Sequence, residues 1–178
     1  MWRSYIRGFK AYLELERSLS ANSVEAYLHD VTLLEKHMAG GDSAPTPGEV
    51  STASLEAFIR EVAAVGMSLT SQARILSGIK AFYKYLAVEN LIPANPAEFL
   101  EAPKMQRKLP EVLDVSEIER MMGCIDQSKP EGVRNRAILE TLYSCGLRVS
   151  ELTGLRMSGV YRDSGYIRVI GQGDKERL

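Results

Sequence analysis

Apolar residues recur at helical spacing throughout the first half of the chain. Tyr5, Ile6, Phe9, Tyr12 and Leu13 follow an i, i+1, i+4, i+7, i+8 pattern, one apolar stripe that predicts a first helix. Ser20 is placed to cap a second helix, with Val24, Tyr27, Leu28, Val31 and Leu34 facing inward and Gly40-Gly41 ending it. The stretch from Gly41 to Gly48, with Pro45 and Pro47, reads as a loop. A third helix is expected from about Ser54, carrying Leu55, Phe58, Ile59 and Val62 and stopping near Gly66. Ser68 or Thr70 opens a fourth, whose inward positions are Ile75, Ile79, Phe82 and Leu86. Four helices of this length with short connections predict a compact bundle over residues 1–88.

Pro93, Pro96, Pro103 and Pro110 then break the periodicity, because proline fixes φ and removes a backbone donor. Residues 89–110 are therefore expected to be a semi-extended linker, with a second domain over residues 111–178. That domain opens with Asp114 and Glu117 at capping-box spacing, ahead of Ile118, Met121 and Met122. A helix from Gly132 to Cys145 is expected to be buried through Ala137, Ile138, Leu142 and Tyr143, with Gly146 as its terminator. A short helix from about Val149 to Leu155 follows. The period then changes from 3.6 to 2: Tyr166, Arg168 and Ile170 alternate with Ile167 and Val169, which predicts a strand. Gly171-Gln172-Gly173-Asp174 is a strong turn signal, and Lys175 to Leu178 begins a return strand. A domain that stopped there would leave its ladder barely started, so the sequence is expected to be part of a longer protein.

Composition narrows the picture little. Hydrophobic residues at 45% and charged residues at 25% are ordinary for a globular chain. No apolar run approaches the roughly 18 residues that span a bilayer, so no membrane partner is expected. Met1-Trp2-Arg3 does not open a signal peptide, which makes a cytoplasmic location the expectation. Cys124 and Cys145 each lie in an apolar helical setting and are expected to be small buried residues rather than metal ligands. His29 and His37 lack partners at ligand spacing, so no metal is expected. The net charge is −1, and only the segment around Lys104, Arg107 and Lys108 is locally basic. Affinity for a polyanion would therefore have to come from particular faces and loops.

One short motif carries candidate chemistry. In Gly146-Leu147-Arg148-Val149-Ser150-Glu151-Leu152, Arg148 stands at the corner between two helices, where its guanidinium projects from a rigid support. Such a support suits bidentate recognition of a phosphate. Glu151, one helical turn on, is placed to orient the arginine. Spacing alone fits equally a helix-start arginine paired with Glu151 on the surface.

The stretch NRAILETLYSCGLRVSELTGLRMSGVYRDSGYIRVIGQGDKERL, from Asn135 to Leu178, resembles the opening of the catalytic domain of tyrosine site-specific recombinases of the Xer type, in the phage integrase family. The upstream stretch LSANSVEAYLHDVTLLEKHM resembles that family's core-binding domain, with Asn22, Ser23, Tyr27 and Asp30 on matching positions. The resemblance spans essentially the whole chain. It implies a mainly α fold: a four-helix SAM-like core-binding domain, then the start of an α+β catalytic domain with a β-hairpin. It implies that Arg148 clamps the scissile phosphate as charge builds in the transition state, with Glu151 in support. The family's general-acid lysine lies in the hairpin, but here Gln172 stands at the usual position and cannot serve as an acid. Lys175, three residues on, either substitutes for it or is a structural or phosphate-contacting residue. The family's nucleophilic tyrosine is expected beyond Leu178, since Tyr143, Tyr161 and Tyr166 match core or hairpin positions. The 178 residues alone are accordingly expected not to cleave DNA.

The implied partner is double-stranded DNA at a recombination site, bound by a homo- or hetero-tetramer with a related recombinase, with a DNA translocase of the division septum as a further partner. No cofactor is implied, because the phosphotyrosyl link conserves the bond energy. Arg74, Ser77, Lys80, Tyr83 and Lys84 are expected on the outward side of the fourth helix, either as a basic face for DNA or as a solvated face. Ser23 and Tyr27 are placed for backbone phosphates, though Tyr27 fits the core equally well. Lys104, Arg107 and Lys108 would follow the duplex along the linker. The function implied is site-specific recombination through a 3′-phosphotyrosyl intermediate, in chromosome dimer resolution at cell division. The alternatives are a mobile-element integrase, a non-catalytic DNA-binding module, and a helical protein–protein scaffold.

Overall fold

The computed structural model of the chain describes residues 2–40, 44–104, 109–171 and 175–178. It divides into two compact units, Met1–Lys108 and Leu109–Leu178.

The first unit is helical: α1 (Trp2–Ala11), α2 (Ala21–Met38), α3 (Thr52–Ala64) and α4 (Leu69–Val88). A π-helical turn, Tyr12–Glu16, extends α1, with Arg17 N–H donating back to Tyr12 O at 3.1 Å. The wider turn keeps Leu13 buried and sets the Tyr12 ring 5.2 Å from Tyr85. Helices α2, α3 and α4 start on one device, a Ser-x-x-Ser pair. Ser20, Ser51 and Ser68 each accept from the backbone N–H of the serine three residues on, at 3.4, 3.2 and 3.2 Å. Ser51 therefore opens α3 at Thr52, two residues ahead of the start expected from the apolar stripe.

The core of this unit centres on aromatic rings. Phe9 and Phe82 meet edge to face at 5.3 Å, and Trp2 stacks on Phe82 at 6.1 Å while its indole N–H donates to Pro45 O at 2.8 Å. Val31, Leu34, Leu55, Ile75, Ile79 and Leu86 complete it from α2, α3 and α4. Asn90, at φ +55°, stops α4. The proline-rich segment that follows turns back onto the bundle: Ile92, Ala97 and Leu100 are buried in the same core. Thr52 Oγ1 donates to Pro96 O at 3.0 Å and holds it there. The core thus continues past the end of the fourth helix as far as Leu100.

Among its described residues the second unit contains α5 (Val115–Gly123), α6 (Pro130–Cys145), α7 (Val149–Thr153) and four two-residue strands. Asp114 and Glu117 form a reciprocal capping box on α5. Strand β1 (Val160–Tyr161) pairs antiparallel with β2 (Tyr166–Ile167), in the register Val160 to Ile167 and Tyr161 to Tyr166. Strand β3 (Val169–Ile170) pairs antiparallel with β4 (Glu176–Arg177), in the register Val169 to Arg177 and Ile170 to Glu176. The alternating run from Tyr166 to Ile170 therefore serves two hairpins, changing partners at Arg168.

Burial expectations for five residues fail in this unit. On α6, Ala137, Ile138 and Tyr143 are exposed and Leu142 is half-buried; Cys124 and Cys145 are both exposed. Among the described residues α5 covers only part of that face, with Ile118, Met121 and Met122 beside Leu139, Leu142 and Tyr143, and Ala137 and Ile138 stay exposed. Among the described residues no helix is long and apolar enough to cross a membrane.

Candidate functional site

In the second unit the structure gathers Arg148, Glu151 and Arg177. Helix α6 ends at Gly146, whose φ of +56° is a left-handed conformation that glycine adopts without a Cβ clash. The chain turns there, and Arg148 becomes the extended residue that precedes α7. Glu151 reaches back along the first turn of α7. Its Oε2 accepts from Arg148 N–H at 2.8 Å, and its Oε1 accepts from Arg148 Nη1 at 3.0 Å. A second guanidinium arrives from β4: Arg177 Nη2 donates to Glu151 Oε2 at 2.7 Å and to Gly146 O at 3.3 Å. Glu151 is buried, whereas the Arg148 side chain is 60% exposed. The Arg148 backbone N–H is the main influence holding the Glu151 carboxyl below its ordinary value; both guanidiniums add to it and burial opposes them. One buried carboxylate thereby holds one edge of the Arg148 guanidinium and leaves much of the side chain to solvent.

Lys175 is exposed at the start of the return strand, and its carbonyl accepts from Gly171 N–H at 2.8 Å. A Cβ on Gly171 would stand 3.3 Å from Glu151 Oε1, so the hairpin base passes close to the same carboxylate. Gln172 lies outside the described residues. Arg177 was not singled out by the sequence; a lone arginine 26 positions from Glu151 gives no local signal of the pairing.

In the first unit, Ser23, Tyr27, Arg74 and Ser77 line one depression between α2 and α4, together with Asp30. Ser23 also belongs to the α2 cap, its hydroxyl 3.0 Å from that of Ser20. Tyr27 is half-buried, edge-on to Phe9 at 6.4 Å. Asp30 lies beneath them with its side chain 2% exposed. Arg74 Nη1 sits 2.7 Å from Asp30 Oδ1 and 2.8 Å from Oδ2, and only the Oδ2 contact has hydrogen-bond geometry. Burial pushes the Asp30 carboxyl above its ordinary value, against the pull of Arg74 and His29.

The remaining basic residues of α4 do not join this depression. Lys80 turns toward the proline-rich segment and donates to Glu98 O at 3.3 Å, and Lys84 is exposed. Tyr83, expected on the outward face, is fully buried, its ring 5.5 Å from Phe82. The buried face of α4 takes in Ile79, Phe82, Tyr83 and Leu86, wider than the single stripe expected. Lys104 is exposed, and Arg107 and Lys108 lie outside the described residues.

Comparison with known proteins accounts for both units. Residues 6–90 match the N-terminal SAM-like domain of phage integrases, and residues 111–178 match the phage integrase family. The tyrosine recombinase XerD of Chlorobaculum tepidum is 38% identical over 181 residues, covering 99% of this chain and 59% of the relative. The tyrosine recombinase XerC of Pelobacter propionicus is 39% identical over 175 residues, covering 97% of this chain and 57% of the relative. The chain thus spans a little under three-fifths of the length of these relatives. Among solved structures, the fold is shared with a lambda integrase tetramer bound to a Holliday junction, at a TM-score of 0.76 and 18% identity over 99% of this chain and 49% of that one. It is shared also with XerH recombinase bound to its difH substrate, at a TM-score of 0.66 and 19% identity over 90% of this chain and 49% of that one. The chain belongs to the phage integrase family of tyrosine recombinases.

Proposed function

We propose that this chain is the DNA-binding and phosphate-clamping part of a site-specific tyrosine recombinase, acting in the cytoplasm in the resolution of chromosome dimers. The observation that carries the reading is Arg148, whose guanidinium is anchored on the buried Glu151 while its outer face stays open. An arginine held by one edge of its guanidinium spends little conformational entropy on meeting a phosphate, and a fixed positive group is most effective where charge develops during reaction. Arg177 strengthens the anchor by sharing the carboxylate.

In this reading Arg148 holds the non-bridging oxygens of the scissile phosphate. A tyrosine from the catalytic segment that the relatives possess beyond this span attacks phosphorus, forming a 3′-phosphotyrosyl bond. The bond to the 5′ oxygen breaks, and that oxygen leaves as a hydroxyl after taking a proton. Lys175 is the candidate proton donor, from the hairpin whose other strand residue, Arg177, binds Glu151. The helical unit contributes backbone contacts through Ser23, Tyr27, Arg74, Ser77, Lys80 and Lys84, and Lys104, Arg107 and Lys108 contribute from the segment that follows. Assembly would be a homo- or hetero-tetramer with a related recombinase on DNA, with a DNA translocase at the septum as the partner in chromosome dimer resolution.

The test joins these 178 residues to the remaining segment of the Chlorobaculum tepidum relative. The chimera is presented with a nicked duplex carrying that relative's recombination site. A covalent protein–DNA adduct is expected, and Arg148→Ala should reduce its rate by a factor of about 100 to 1,000, the loss typical of one oxyanion-stabilising group. A chimera that binds the duplex and forms no adduct would overturn the reading.

A further inference from the structure

Asp30 is expensive to bury, and nothing about folding alone explains it. Its side chain is 2% exposed, and Oδ1 has no hydrogen-bond donor among the described residues. His29 Nδ1 stands 3.8 Å from Oδ1, too far for a hydrogen bond. A half-satisfied buried carboxylate is a weak source of stability. The neighbouring helix also gives something up to admit it. Gly78 sits in the middle of α4, where glycine is among the least favourable helix residues. A Cβ at that position would stand 2.5 Å from Asp30 Oδ2 and 2.8 Å from Asp30 Cβ. Only a glycine leaves room for the carboxylate between α2 and α4.

What the arrangement achieves is the fixing of Arg74. Nη1 is held over the carboxylate, while Nε and Nη2 make no hydrogen bond among the described residues and the side chain is 47% exposed. The Ser77 hydroxyl lies one turn along the same helix, and Ser23 and Tyr27 face Arg74 from α2 across the depression. The free side of the guanidinium thus opens on one concave spot lined also by Ser23 and Tyr27, while the Ser77 hydroxyl donates to Ala73 O at 2.8 Å. A guanidinium held among hydroxyl-bearing side chains fits a phosphate oxygen.

We infer that Asp30 is a positioning residue for DNA binding: admitted by Gly78, it orients Arg74 so that the guanidinium meets a backbone phosphate of the duplex. The inference rests on the DNA-binding reading above. It also makes an expectation opposite in sign to that of bulk charge. Asp30→Asn removes a negative charge beside the binding surface, which by electrostatics alone tightens binding to DNA. Loss of a positioning residue weakens it.

The experiment measures binding of the 178-residue chain to a short duplex of mixed sequence over a range of chloride concentrations. The proteins compared are the wild type, Asp30→Asn, Arg74→Ala and the double variant. Thermal melts are recorded beside each, and Asp30→Ser replaces Asp30→Asn if the latter melts early. Asp30→Asn is expected to bind about tenfold more weakly while melting no earlier than wild type. Arg74→Ala should weaken binding by a similar factor and lower the salt slope by about 0.9, one phosphate contact. In the Arg74→Ala background, Asp30→Asn should change nothing further. Equal or tighter binding by Asp30→Asn overturns the inference, as does an equal loss with Arg74 already removed. A wild-type chain that leaves the duplex unbound overturns the DNA-binding reading itself, and the inference with it.

Discussion

Among the described residues the two units bury one carboxylate each beneath an exposed arginine, and they do so in opposite settings. In the helical unit Asp30 lies under a closed aromatic core, and burial dominates, pushing its carboxyl upward. In the second unit Glu151 lies where the apolar faces are open, and the Arg148 backbone N–H dominates, with the Arg148 side chain and the charge of Arg177 adding to it, holding its carboxyl down. Among the described residues every buried apolar side chain except Val169 belongs to the helical unit. Residues 109–178 instead leave Leu113, Met121, Ile138 and Tyr143 in solvent and are organised by caps, turns and the Glu151 cluster. The same pairing is therefore a load on a well-packed scaffold in one unit and a principal tie in the other.

The largest expected effects come from apolar truncation. Phe82→Ala should destabilise the helical unit by about 3–5 kcal/mol, because Phe82 is fully buried among Trp2, Phe9 and Tyr83. Ile138→Ala, in the same side-chain class but 37% exposed, should cost less than about 1 kcal/mol. Denaturant melts followed by circular dichroism compare the two; similar losses would erase the contrast in core packing. Gly78→Ala should cost about 1–3 kcal/mol through the clash with Asp30. That reverses the sign of the usual gain from replacing a mid-helix glycine, and a raised melting temperature would refute the close approach.

The carboxylates sharpen the contrast through pH. Asp30 has a raised value, so its contribution is most favourable below the ordinary 3.8 and is lost as pH rises through the raised value. Glu151 has a lowered value, so its contribution is present above the ordinary 4.5 and is lost as pH falls through the lowered value. On acidification, amide exchange at Gly171 and Arg177 should accelerate relative to intrinsic rates, and Glu151→Gln should remove that dependence. Exchange there that ignores pH would separate Glu151 from the hairpin. The smallest effect is at a cap: Ser20→Ala should lower the stability of the helical unit by about 1 kcal/mol in the same melts.

What was legible in the sequence follows the range of the interactions. The four helices of the first unit are legible because their apolar stripes are local, as are the serine caps of α2 and α4. A single apolar stripe places Tyr83 outward, whereas α4 buries a wider face. Ile92, Ala97 and Leu100 carry no periodicity, so proline punctuation alone suggested a linker where the chain in fact packs. On α6 the apolar pattern marks a face but not whether anything covers it, hence the failed expectations for Cys145, Ile138 and Tyr143. The Arg148–Glu151 contact was legible because it spans one helical turn. Arg74 with Asp30, and Arg177 with Glu151, join residues 44 and 26 positions apart, and only the tertiary fold brings them together.

The central claim is that anchored arginines carry phosphate contacts in both units. The most direct measurement is the salt dependence of duplex binding by the 178-residue chain and by Arg74→Ala and Arg148→Ala. The account predicts that log K falls linearly with log salt, and that each substitution reduces the slope by about 0.9. Binding that is independent of salt, or a slope that neither substitution changes, would contradict it.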